Sequence, residues 1–300
     1  VRSKSLAVAL QRIGIDDEVA LGLQKDLCLN KVRIIFDAEV DAIEKSDDIA
    51  TRPMTIKLKR ASTKEPLPKS DVKCNILMTA TGRSANTGGL NLDSVGVETD
   101  KDGTVLVDGD LQTSTPGIYA AGDVLGAPSL ASTGIEQAGY VVQKMFGRGE
   151  ASGCWKPPTE GRDPRSLMKN PLEYPIGIWT IPEVAFVGRT KQRALDDGWQ
   201  SVGEGVAEYS GSIRGKVQGV SIGILKIVFS KPDGVILGVH ILGDDACELI
   251  HYGTALAQAG KTVWDVTGTV FTAVTFHELF ATAALDAVAQ LEKDAWATAL

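Results

Sequence analysis

The run Gly117-Ile-Tyr-Ala-Ala-Gly-Asp123 limits the folds open to this 300-residue chain more than any other stretch. Ile118 to Ala121 carry no charge, as in a buried strand, and Gly122 lets the backbone turn where a side chain would obstruct it. Asp123 is then put at the C-terminal end of that strand, the end at which doubly wound α/β folds bind ligands. A carboxylate there is a good acceptor for sugar or sugar-alcohol hydroxyls. An aspartate in the same place also caps turns, and spacing alone does not separate the two uses.

The chain on either side of this run differs in texture. Ahead of it, Asp16 to Lys25 reads as a helix, acidic at its start and basic near its end, as the helix dipole favours. Val32 to Phe36, Glu39 to Ile43, Met54 to Arg60, Ile76 to Ala80 and Val105 to Asp108 read as short strands. Behind it, Gly134 to Met145 reads as a helix and Gly147 to Pro171, rich in Gly, Pro and charge, as a linker. Further on, Ile176 to Thr180, Val184 to Val187, Ile222 to Ser230 and Gly234 to Leu242 read as strands, the last two joined by the turn Lys231-Pro-Asp-Gly234. Lys191 to Asp197 is a polar helix. Asp244-Asp245 is placed to cap a helix with apolar positions Ala246, Leu249, Ile250 and Gly253, stopped by Gly260. A last helix starts near Phe276. This order of strands and helices predicts an α+β domain with an antiparallel sheet.

Composition narrows the function classes. The formal charge of −7 and pI near 5.1 argue against nucleic-acid and anionic-membrane partners. No stretch reaches the ~20 apolar residues that span a bilayer. The four cysteines, Cys28, Cys74, Cys154 and Cys247, form no C-x-x-C or C-x-x-x-x-C pair, so neither a metal site nor a redox dithiol is expected here. A glycine-rich βαβ phosphate turn is also missing, since Gly203-Glu-Gly205 lacks a third glycine and reads as a loop. Arg2-Ser-Lys4 reads as a solvated basic terminus, with the tail of a phosphate-contacting cluster as the alternative.

Thr115 to Asp123 resembles the second FAD-binding motif of the glutathione reductase-like flavoproteins, the class I pyridine nucleotide-disulfide oxidoreductases. Ala80-Thr-Gly82-Arg83-Ser-Ala-Asn86-Thr87 resembles that family's A-x-G-R-x-x-N-T hinge, and the two motifs stand in the family's order. The resemblance implies that Asp123 holds the ribityl chain of FAD, that Gly122, Gly82 and Arg83 belong to the same cofactor site, and that Leu130 and Ala131, in Pro128-Ser-Leu-Ala-Ser132, lie near the flavin ring. It also implies an α/β FAD/NAD(P)-binding fold, present in part, followed by the α+β dimerisation domain. Residues 1–79 would be the end of the NAD(P) domain, 80–149 the second part of the FAD domain, 150–172 a linker and 173–300 the dimerisation domain of a homodimer.

Disulfide-reducing members carry His-Pro-Thr-x-x-Glu near the C-terminus, where the His moves a proton to a thiol. Here Thr275 and Glu278 match, but Ala273 and Val274 occupy the His and Pro positions. His277 is next to Glu278, and helical neighbours point about 100° apart, so it is not a shifted replacement. His240 and His251 read as structural. No catalytic residue is therefore assigned. The segments Pro175 to Glu183, Gly223 to Phe229 and Glu248 to Gly253 resemble the soluble transhydrogenases, which pass hydride between NADPH and NAD through FAD and need no thiol base, more than the disulfide reductases. The subfamily usually keeps an aromatic residue and Pro at the two positions held here by Ala273 and Val274. The expectation is the C-terminal part of such a cytoplasmic enzyme. A disulfide reductase of dihydrolipoamide dehydrogenase type and a non-catalytic dimerisation module are the alternatives.

Overall fold

The computed structural model describes residues 1–45, 53–67, 71–147 and 174–299. They form two compact units, one of Val1–Thr79 with Pro175–Leu300, the other of Ala80–Tyr174.

The first unit is organised on a five-stranded antiparallel sheet. Its strands are β4 (Ile176–Ile178), β5 (Val184–Gly188), β6 (Val202–Glu208), β7 (Ile224–Ser230) and β8 (Ile236–Leu242), in the order β4-β5-β8-β7-β6. Strands β5, β7 and β8 are buried almost throughout, as expected for a sheet covered on both faces. One face carries Val184, Phe186 and Leu242, which pack against Ile15, Val19, Ala20 and Leu23. Those residues belong to α2 (Asp17–Leu29) and the turn after α1 (Leu6–Gln11). Asp16 caps α2, its Oδ1 accepting from the N–H groups of Glu18 and Val19. On the opposite face lie α6 (Ala246–Gln258) and α8 (Glu278–Ala299). A smaller antiparallel sheet, β1 (Ala38–Lys45), β2 (Met54–Arg60) and β3 (Val72–Cys74), completes this unit's strands among the described residues.

Close approach dictates two glycines. Gly203 and Gly205, read above as a loop, are inside β6. A Cβ on Gly205 would overlap the carbonyl oxygen of Ala283 in α8, and one on Gly203 would enter the ring of Phe229. Gly205 serves helix-on-sheet packing and Gly203 makes room for a ring of the neighbouring strand, uses that a search for turn signals misreads. Helix α8 also closes the outer edge of β6: Val206 N–H donates to Asp286 Oδ2 (3.0 Å) and Gln290 Nε2 donates to the Glu204 carbonyl (2.7 Å).

Several expected elements take other forms. Val32 to Phe36 and Ile76 to Ala80 are extended but join no ladder among the described residues. The Ile35 carbonyl accepts only the Val1 amino group, and Ile76 and Met78 are 85% and 84% exposed. β-branched composition supplies strand propensity, but a strand needs a neighbour to pair with. Val105 to Asp108 and Gly117 to Ala121 form isolated bridges (Thr99 to Val105, Val107 to Thr113, Gln112 to Tyr119) in place of strands. Asp245 sits at the start of α6 with φ 60° and makes no side-chain cap. Glu183 takes that role, its Oε2 accepting from Cys247 N–H at 3.0 Å. The Gly147 to Pro171 linker and Cys154 lie outside the described residues, apart from Gly147 itself.

Helix α3 (Ala131–Phe146) packs in the second unit on a small core of Val97, Val105, Leu111, Leu125 and Val141.

Gly205→Val should destabilise the first unit by at least ~2 kcal/mol, the overpacking range, because Ala283 is backbone held in α8 and cannot move aside. Chemical denaturation followed by far-UV circular dichroism measures this; an unchanged midpoint would contradict the β6–α8 packing.

Candidate cofactor-binding site

In the second unit the predicted site residues lie on one turn, on the segment whose Arg83 pairs with it, and at the start of the helix packed on it. Gly122 to Leu125 form a single 3-10 turn that begins at Gly122, φ 80°. Only glycine adopts that backbone without strain. The N–H of Gly122 donates to Oε1 of Gln137 at 2.8 Å. Gln137 comes from α3 and is buried. Gly134, also on α3, faces the same turn, and a Cβ there would come 3.2 Å from Gly122 Cα. A helix with glycine at this contact can lie directly on the turn.

Asp123, the second residue of the turn, keeps its side chain 46% exposed, and its Oδ2 accepts from Arg83 Nη2 at 3.0 Å. Gly82, φ 134°, sets the direction of the chain leading into Arg83. An exposed pair of this kind is worth little for stability, about 0–1 kcal/mol, so it orients the carboxylate more than it holds the fold. Leu130 occupies the N-cap position of α3 with no side-chain cap, and Ala131 opens the helix. The first-turn N–H groups of a helix have no intrahelical partner and concentrate positive potential. Arg83 thus meets the exposed Asp123 carboxylate, Gly82 precedes Arg83, Gly122 opens the turn, and Leu130 and Ala131 begin the helix whose Gly134 and Gln137 meet Gly122. Such a site suits a ligand with hydroxyl groups and a delocalised negative charge.

In the first unit, the Ala273–Glu278 segment holds no acid–base pair. Glu278 Oε2 accepts from Thr275 N–H at 3.2 Å, closing the start of its own helix. The His277 ring is exposed and meets Tyr252 and Phe280 edgewise or in a loose stack. Arg2 pairs with Glu39 at 3.4 Å and is otherwise solvated, as expected of the N-terminal basic cluster. No group of His, Cys, Asp and Glu among the described residues could hold a metal ion.

Sequence reasoning missed three residues. Gln137 was legible as one turn beyond Gly134 on the same helical face. Lys226 is buried among carboxylates and is treated below. Cys247 sits against Gly177, and burial, helped by the negative charge of Glu183, pushes its thiol up to about 11.

The region 5–138 matches the pyridine nucleotide-disulphide oxidoreductase profile, and 174–284 matches that family's dimerisation domain. The chain belongs to the pyridine nucleotide-disulphide oxidoreductase family. Members of the family bind FAD and NAD(P). A soluble pyridine nucleotide transhydrogenase from Serratia proteamaculans is 33% identical over 282 residues, 92% of this chain and 54% of that protein. One from Erwinia tasmaniensis is 35% identical over 225 residues, 73% of this chain and 44% of that protein. The chain thus spans about half the length of these relatives. Among solved structures, the HOCl-induced flavoprotein disulfide reductase RclA from Escherichia coli aligns with a TM-score of 0.73 at 21% identity, over 89% of this chain and 56% of that one. LpdA from Mycobacterium tuberculosis aligns at 0.72 and 23%, over 90% and 52%. At these identities the structures establish the family fold, an FAD/NAD(P)-binding α/β part followed by an antiparallel dimerisation domain. They do not establish an activity.

A thiol displaced to about 11 is almost wholly protonated at neutral pH, and the thiolate is the reactive form. Iodoacetamide at pH 7.5 should label exposed Cys28 at least 10-fold faster than Cys247, read by peptide mass spectrometry. Equal rates would contradict the burial of Cys247.

Proposed function

We propose that this chain is the C-terminal part of an FAD-dependent oxidoreductase of soluble transhydrogenase type, passing hydride between NADPH and NAD. Residues 1–79 are assigned to the end of the NAD(P)-binding part, 80–149 to the second part of the FAD-binding part, 150–172 to the linker and 173–300 to the dimerisation domain. The observation that carries the reading is the exposed carboxylate of Asp123 on the turn that α3 packs against through Gly134 and Gln137.

The residues present fit FAD. Asp123 would accept from hydroxyls of the ribityl chain, with Arg83 turning its carboxylate. The first-turn amides at Leu130 and Ala131 would face the electron-rich edge of the ring, where a helix N-terminus favours negative charge. Gly122 and Gly82 leave room for the approach. Bound FAD supplies two-electron transfer between nicotinamides, chemistry that belongs to the cofactor and not to the chain. Ala273 cannot carry a proton, which favours hydride exchange over thiol reduction, as do the transhydrogenase relatives at 33–35% identity.

A homodimer and a cytoplasmic location complete the proposal. The dimerisation-domain match and exposed Val270 and Leu285 support self-association. No helix among the described residues is long and apolar enough to cross a membrane. Neither the acidic charge nor any basic cluster calls for a nucleic-acid partner.

The test uses the full-length polypeptide that carries this chain. It should purify yellow, elute as a dimer by light scattering and reduce a thio-NAD analogue with NADPH. Asp123→Ala should weaken FAD binding about 10- to 100-fold, the worth of a hydrogen bond to a charged group, measured by fluorescence titration of the apoprotein. A colourless protein would overturn the flavoprotein reading. Turnover of dihydrolipoamide without hydride exchange would replace it with the disulfide-reductase alternative.

A further inference from the structure

The face of the large sheet beneath α2 contains a charged centre that the proposed redox chemistry does not use. Phe186, His240 and Lys226 are direct cross-strand partners on β5, β8 and β7, and so line one face in a row. Lys226 is 4% exposed. Its ammonium meets Asp16 at 2.9 Å, Glu18 at 2.8 Å and Glu204 at 3.2 Å. Asp16 and Glu18 come from the start of α2, 210 residues away from Lys226 in the case of Asp16. Lys191 of α4 (Lys191–Asp196) stands 3.7 Å from Glu204. Between Phe186 and Lys226, His240 is fully buried, its ring stacked on Phe186 at 5.9 Å.

The hydrogen bond of His240 fixes one proton on its ring. Nε2 lies 3.0 Å from the Arg189 carbonyl, which can only accept, so Nε2 carries the proton. Nδ1 is buried with no partner. A second proton there would be an unsatisfied buried donor on a cation facing the Lys226 ammonium. The closed arrangement therefore admits only neutral imidazole. Burial, helped by the Lys226 charge, holds His240 below the usual imidazole range, against the opposing pull of Asp16, the Arg189 carbonyl and Glu204. The residues that cover both ends of this row, Gly14 to Leu23, are joined to the sheet by one apolar cluster and the Lys226 ion pairs.

We infer that His240 and Lys226 form an acid-released latch: Lys226 clamps the start of α2 to the sheet, and proton uptake by His240 frees α2 while the sheet stays folded. The sign follows from linkage. The closed form excludes a proton that the open, hydrated form accepts at the ordinary value near 6.5, so closure is favoured above that pH and weakened below it. Between pH 7.5 and 5.5 the open form gains about 10-fold. Asp16, held below its ordinary carboxylate value although burial alone would raise it, stays ionised across this window.

Hydrogen exchange by mass spectrometry on the whole chain, corrected for intrinsic rates, tests the latch. Protection of α2 should fall about 10-fold from pH 7.5 to 5.5 while β7 is unchanged. His240→Phe, or His240→Gln if the first does not fold, should make α2 protection independent of pH over this range. Lys226→Met should lower it at least 10-fold at both pH values. Constant α2 protection in the wild type would overturn the inference, as would the wild-type pH response persisting without His240, or equal loss in β7 and α2.

Discussion

A buried ammonium must be surrounded by charge of opposite sign, and that constraint organises the first unit. Lys226 lies in the middle of a strand between Leu225 and Ile227 and is 4% exposed. Removing an ammonium from water costs several kcal/mol, recovered only with good geometry and full pairing. The pairing comes from Asp16, Glu18 and Glu204, so the start of α2 is tied to one register on the sheet. A buried ion cluster of this kind adds little net stability over an apolar replacement, but breaking it from one side costs about 3–5 kcal/mol. Its contribution is to specify position. The apolar residues Val19, Ala20 and Leu23 would pack nearly as well a turn along, and the ion pairs would not.

The opposite face of the sheet is set by volume. Gly205 lets α8 approach β6 to backbone distance, Gly253 lets α6 sit on the Val239 side chain, and side chains from α8 then reach the sheet edge. Asp286 and Gln290 satisfy the outer groups of β6 because α8 lies so close. One face is thus located by charge and the other by the absence of side chains, and the sheet between them needs no polar exterior.

These two devices differ in how far the sequence reveals them. The strands β5, β7 and β8 and the helices α2, α3 and α6 were legible because their periodicity or apolar runs are strong, and the turn at Lys231–Gly234 because its residues are turn formers. The carboxylate at Asp123 and the hinge at Gly82-Arg83 were legible through the motifs that contain them. What failed was whatever depends on a partner distant in sequence. Val32 to Phe36 and Ile76 to Ala80 have strand composition and no ladder. Gly203 and Gly205 read as a loop because nothing nearby shows that Phe229 will press on the first and a helix some 80 residues later on the second. Lys226, in an otherwise apolar run, is the kind of charge usually read as pointing to solvent, and its partners Asp16 and Glu18, some 210 residues away, together with Glu204, explain it.

The same reasoning bears on the cofactor site. Asp123 is useful to a ligand only if it stays exposed and oriented, and the fold arranges both without burying it. Gln137 holds the Gly122 amide, so the turn keeps its shape with no help from the carboxylate. Arg83 offers one directed contact and leaves Oδ1 open. Had Asp123 capped its own turn, as aspartates at such positions often do, the carboxylate would be consumed by the backbone. Transferring that structural duty to a buried glutamine on a neighbouring helix is what leaves the carboxylate exposed, held only by Arg83, where a ligand could meet it.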